Sequence, residues 1–209
     1  MAIISAGNAA FLISMFVIFT PLVEWLVCRG RLDRRLLLSA LLSLLGVYWL
    51  CGGRALHLGR GDGLVTAVAL LRACLVCYTR RLTAHRPVPA LALNAVQTGM
   101  VAVGGWLLLL VTFRSPPPLP ASWSFWGITL YLALFATLFA FFAQNYAAGR
   151  TSPSRLSLLL GTEPFFGSLL AALLLNEHLT TSGWIGGGCI FSSLLMVLTR
   201  RRAMLSLAG

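Results

Sequence analysis

The run Ser154 to Leu179, SRLSLLLGTEPFFGSLLAALLLNEHL, constrains this chain more than any other stretch. It is almost wholly apolar, holds a carboxylate and a proline at Glu163-Pro164, and ends in the polar cluster Asn176-Glu177-His178. About 20 apolar residues at 1.5 Å rise cross a hydrocarbon core roughly 30 Å thick, so the run reads as a bilayer-spanning helix. A carboxylate at mid-membrane costs about 2.5–3.5 kcal/mol on insertion scales and is expected to face protein or a cavity. Pro164 removes a backbone donor and frees a carbonyl one turn back, and lipid satisfies neither. A bent helix with one face turned to protein is expected.

The rest of the chain agrees with a membrane setting. Of 209 residues, 58% are hydrophobic and 10% charged, and the mean hydropathy is +0.88. These values exclude an ordinary soluble domain. All 16 basic residues are arginine. They lie in short clusters between apolar runs, which sets membrane orientation and does not mark a nucleic-acid surface, so no nucleic acid is expected as a partner. The five cysteines lie in or beside apolar segments. Cys74 and Cys77 form a CxxC without a second pair or a nearby histidine, and read as small packing residues, with no metal site.

Seven apolar segments are readable: Ala9–Val27, Leu36–Cys51, Gly63–Thr79, Pro89–Val111, Trp123–Ala148, Leu156–Leu175 and Trp184–Thr199. The first is no secretory signal, since Met1 to Asn8 carries no positive charge and the apolar stretch is too long. With Arg200-Arg201-Arg202 placed inside, seven alternating spans put twelve arginines in inside loops and three, Arg54, Arg60 and Arg114, outside. That bias places the N-terminus outside and the C-terminus in the cytoplasm. Pro116-Pro117-Pro118-Leu119-Pro120 reads as a stiff outside linker.

An internal repeat is visible at an offset of 147. Ser5-Ala6-Gly7-Asn8 corresponds to Ser152-Pro153-Ser154-Arg155, Leu32 to Leu179 and Gly46 to Ser193, while Pro21 and Pro164 differ by 143, a slip of about one turn. Paired interrupted helices of this kind point to a transporter whose site lies between repeats.

The stretch SPSRLSLLLGTEPFFGSLLAALLLNEHLTTSGWIGG, with Glu163-Pro164, Glu177 and Gly186-Gly187, resembles the last two helices of EamA-type proteins of the drug/metabolite transporter superfamily. SAGNAAFLISMFVIFTPLVEWL, marked by Thr20-Pro21, resembles the corresponding helix of the first half, and Gly61-Asp62 before a helix ending at Arg80-Arg81 resembles the opening of the second. The resemblance implies an all-α polytopic membrane protein with about seven transmembrane helices, the remnant of a 5+5 inverted-repeat transporter lacking its first three helices. Residues 1–60 would be the end of the first repeat, 61–202 the second repeat, and 203–209 a cytoplasmic tail. The implied activity is alternating-access transport of small metabolites or drugs across the inner (plasma) membrane, secondary and proton-coupled, without a cofactor. Besides the bilayer and a small-molecule substrate, a second copy or a partner chain would supply the missing helices. The alternative is a truncated, non-transporting fragment or assembly partner.

The polar candidates within spans are Arg72, Asn94, Gln97, Gln144, Asn145 and Glu163, and Pro21 and Pro164 are the expected kinks. The amides are expected either to contact substrate or to hold the bundle by interhelical hydrogen bonds. Glu163 is either a proton-coupling acid or a carboxylate capping amides freed at the kink, and its proline neighbour favours the second. Arg72 is expected to pair with Glu163 or to bind an anionic substrate, and Glu24 to pair with nearby Arg29 and Arg31. Gly183 and Gly187 form a GxxxG read as packing within the chain, and Trp106, Trp123, Trp126 and Trp184 read as interfacial belt residues. No HExxH, GxSxG or phosphate loop is present, so no enzyme activity is expected.

Overall fold

A computed structural model describes residues 6–28, 33–52, 61–85, 88–112, 120–175 and 180–206. Among these, all regular structure is helical: α1 (Ala6–Ser14), α2 (Phe16–Cys28), α3 (Arg34–Leu50), α4 (Asp62–His85), α5 (Ala90–Thr112), α6 (Trp123–Tyr131), a π-helical segment (Leu132–Phe139), α7 (Ala140–Ala148), α8 (Pro153–Leu160), α9 (Glu163–Leu175) and α10 (Thr181–Ser206). Five stretches are long and apolar enough to cross a bilayer: Ala9–Val27, Asp62–Ala84, Ala90–Thr112, Trp123–Ala148 and Pro153–Leu174. The two remaining expected segments form α3, of 17 residues, and the shorter apolar stretch Thr181–Val197 of α10. The chain is an all-α polytopic membrane protein.

It divides into two compact units, Met1–Arg81 with Thr151–Gly209, and Leu82–Arg150. The first is built on small residues. Along α3 the buried positions Ser39, Ala40, Ser43, Gly46 and Val47 recur at helical spacing, and along α4 Ala69, Ala73, Val76 and Cys77 do the same. Such stripes let backbones approach where no hydrophobic effect drives helices together in lipid. The closest approach joins α3 to α10: a Cβ on Gly46 would lie 2.6 Å from the Gly186 carbonyl oxygen. Phe16, Val17, Ala40, Ala69 and Leu158 form the apolar centre. Of the GxxxG pair, Gly187 gives room to the Phe165 ring, so it serves packing within the chain.

Two spans of this unit are interrupted in the same way. Between α1 and α2 the Met15 amide donates three residues back to Leu12, and Ile18 and Phe19 both donate to the Met15 carbonyl. Between α8 and α9 the Thr162 amide donates to Leu159, and Phe165 and Phe166 both donate to the Thr162 carbonyl. Each of these bonds has its counterpart 147 residues along the chain. Helices α3 and α10, which begin at Arg34 and Thr181, obey the same offset. The interruptions fall before the prolines: Pro21 lies inside an unbroken α2, and Pro164 is the second residue of α9, where a missing N–H costs nothing because the first turn has no intrahelical acceptor for it. At the second break a Cβ on Gly161 would meet Val17 Cγ2 at 2.8 Å, so glycine is required for α8 to reach α2.

The second unit is sparsely buried. Among described residues α5 buries only Asn94, α6 and the π segment bury none, and α7 buries Asn145 and Ala148. In a π segment the pairing widens from i→i+4 to i→i+5, and its return to α leaves one carbonyl over near the C-terminal end. Asn94 Nδ2 donates to the Leu138 carbonyl there at 3.0 Å. The buried polar residue on an otherwise apolar helix thus satisfies backbone that lipid could not.

Two outcomes follow for purified protein followed by thermal unfolding in detergent. Gly46→Leu destabilises by about 1–3 kcal/mol through overpacking against α10, whereas Gly99→Ala, with open space around its Cβ, is neutral or stabilising by up to about 1 kcal/mol. Asn94→Leu costs about 1–3 kcal/mol by orphaning the Leu138 carbonyl, and that cost disappears in a background where deletion of one residue from Leu132–Phe139 restores α pairing; equal costs in both backgrounds would contradict the assignment.

Candidate functional site

An ion pair forms where the second interrupted span meets α4. Arg72, midway along α4, reaches the first residue of both half-helices. Its Nη2 donates to Glu163 Oε1 at 3.2 Å and to Oε2 at 3.3 Å, and its guanidinium carbon lies 4.3 Å above the Phe16 ring. Phe16 and Glu163 are 147 residues apart, so Arg72 touches the same position of both halves of the repeat, aromatic in one and acidic in the other. The planar, permanently charged guanidinium suits both contacts at once, through its edge to the carboxylate and its face to the ring.

Arg72 supplies the positive charge that holds Glu163, the first residue of α9. The side chains of Arg72 and Glu163 remain 24% and 56% exposed, so the pair is reachable by a ligand.

The other candidates group differently. In the Leu82–Arg150 unit, Asn145 Nδ2 donates to Gln97 Oε1 at 2.8 Å, joining α7 to α5, and Asn94 holds the π segment. Gln144, the neighbour of Asn145, is half-buried. The three hydrogen-bonded amides therefore join helix to helix, and the ion pair belongs to the other unit.

One contact was not named from the sequence. Glu24, expected to pair with Arg29 and Arg31, which lie outside the described residues, accepts from the Ser154 amide at 2.9 Å and from the Ser154 hydroxyl. Proximity in sequence favoured the arginines. The available signal was the offset of 130 residues to a helix start at Ser152-Pro153, which alone names no partner. The expected role of Glu163 in capping also changes emphasis, since its carboxylate is engaged by Arg72.

Residues 59–199 match the EamA-like transporter family. The chain is 26% identical over 206 residues to an uncharacterized transporter of Archaeoglobus fulgidus, covering 94% of this chain and 61% of that protein. It is likewise 26% identical over 197 residues to a probable amino-acid metabolite efflux pump of Salmonella typhimurium, covering 90% of this chain and 66% of the relative. The chain therefore spans less than two thirds of the length of these two relatives. A solved crystal structure shares the fold, with a TM-score of 0.79 at 20% identity over 96% of this chain and 70% of the other. The match covers more than half of the sequence, and the chain belongs to the EamA-like transporter family.

Proposed function

We propose that the chain acts in secondary transport of small metabolites by alternating access, with Arg72 and Glu163 as the exchange site for a substrate anion. The observation that carries this reading is the contact of Arg72 with the repeat-equivalent residues Phe16 and Glu163, each at the start of a half-helix. Paired interrupted helices with their ends at one polar site are the architecture that supports alternating access in inverted-repeat transporters. A substrate carboxylate competes with Glu163 for Arg72. Phe16 offers an apolar surface beside it. Glu163, once released, is the acid at this site that can carry a proton, which would couple transport to a proton gradient. A metabolite bearing a carboxylate fits the printed name of the Salmonella relative. We further place the N-terminus outside and the C-terminus in the cytoplasm on the distribution of arginines. A second reading is a non-transporting membrane component that works with another chain.

Uptake of labelled amino acids and related carboxylates into proteoliposomes separates the two. Under an imposed proton gradient the parent chain is expected to accumulate substrate, and Glu163→Gln to lose at least about tenfold of that uptake while keeping substrate exchange without a gradient. Arg72→Ala is expected to lose both, because it removes the group that holds the anion. Uptake equal to that of empty vesicles across the substrate panel would sink the transport reading in favour of the second. A fluorescent protein fused after Gly209 is expected to fluoresce, as it does only on the cytoplasmic side; a dark, translocated fusion would reverse the topology.

A further inference from the structure

The start of α8 is capped by the wrong residue. Ser152 stands at the N-cap position with extended backbone, φ −71° and ψ 147°, yet its side chain makes no cap hydrogen bond, and its hydroxyl is buried without a partner. A serine at this position ordinarily accepts from the amide two or three residues on. Here the amide of Ser154, together with its hydroxyl, is given to Glu24 of α2. A charged acceptor at a helix N-terminus makes a stronger bond than a hydroxyl, so the carboxylate of another helix has displaced the local cap.

We propose that Glu24 and Ser154 form a one-sided gate latch between the two halves of the repeat, with Ser152 as the waiting cap that takes over when the latch opens. This rests on the alternating-access reading. Helix α2 belongs to the first half and α8 to the second, so their contact breaks when the halves rock apart at this end. Opening would ordinarily leave an uncapped helix start, at the cost of an unsatisfied donor. The Ser152 hydroxyl, unpartnered while the latch is closed, needs only to turn toward the freed amide, so that amide has an acceptor in both states. That is the property a bistable element requires.

The latch has no equivalent at the other end. The positions related to Glu24 and Ser154 by the 147-residue offset are Ala171 and Gly7, which offer neither a carboxylate nor a hydroxyl. An inverted repeat with equal ends would favour neither closed state, whereas this chain holds one end shut by a charge-assisted bond. The resting population is thereby biased toward the state closed beside Arg155, and release of Glu24 is the step that admits the opposite state. A ligand or lipid need not be invoked for this bias; it is written in three side chains, Glu24, Ser152 and Ser154.

Cys77 reports the latch without a new label. It is fully buried, and its thiol lies 3.7 Å from the Thr20 carbonyl, one turn before Glu24 on α2. In full-length protein reconstituted in lipid vesicles, with Cys28, Cys51, Cys74 and Cys189 replaced by alanine, N-ethylmaleimide should alkylate Cys77 about tenfold faster in Glu24→Gln, which removes the charge from the acceptor. Ser152→Ala should react about fivefold slower than its parent, because the open state loses its cap, and the double variant should fall between. A purely structural Glu24 would give the fast Glu24→Gln but leave Ser152→Ala unchanged or faster, and that result overturns the proposal, as does an unchanged rate in Glu24→Gln. If Glu24→Gln fails to fold, Ser152→Ala alone decides. The assay needs no substrate, so absence of flux and absence of a latch remain separate results.

Discussion

The constraint on which this structure depends is that a backbone group inside a span must find its partner within the protein. Lipid offers no replacement, and an orphaned buried amide or carbonyl costs several kcal/mol in hydrocarbon. Short polar side chains add bonds to the backbone: Thr20, Ser14 and Ser168 return their hydroxyls to carbonyls four residues back, and Thr162 to Leu159 at the break itself. Asn94 reaches across to the π segment, and Glu24 to the start of α8. With those demands met, helices can be interrupted in mid-span.

The duplicated break then acquires meaning from its differences. The hydrogen-bond pattern around Met15 recurs around Thr162, and the approach of Gly46 to Gly186 packs the helix that follows one break against the helix that follows the other. On that shared frame the two halves carry unlike residues where chemistry is done. Phe16 faces Glu163 across Arg72, so one half gives an aromatic surface and the other a charge. Glu24 has Ala171 as its counterpart, so one end gains a tie that the other lacks. On one shared scaffold, unlike side chains at matched positions make the two halves chemically distinct.

Much of this was legible before any coordinates. Apolar run lengths located all seven helical segments, because helices in lipid satisfy their own backbone and need only length and hydropathy. The repeat was visible from Ser5, Leu32 and Gly46 and their partners, since interrupted helices require small and polar residues at fixed places. Arg72 and Glu163 stood out as charges where charges are expensive. The position of the breaks was misread, because proline is the strongest local signal for a bend. In fact proline is tolerated in the first turn of α9 and inside α2, and glycine and packing set the interruption one or more residues earlier.

The sequence by itself determined that this chain is helical, lies in a membrane, is internally duplicated and keeps two opposite charges within its spans. These follow from one-dimensional quantities: hydropathy, period and spacing. Only the tertiary structure decided which groups meet. It set Arg72 on both Phe16 and Glu163, gave Glu24 the amide and hydroxyl of Ser154, left the Ser152 hydroxyl without a bond, and set Asn94 against a π segment that no composition announces. Partner choice depends on the rotation and register of helices far apart in the chain, and close packing of small residues fixes both to within the reach of a hydrogen bond.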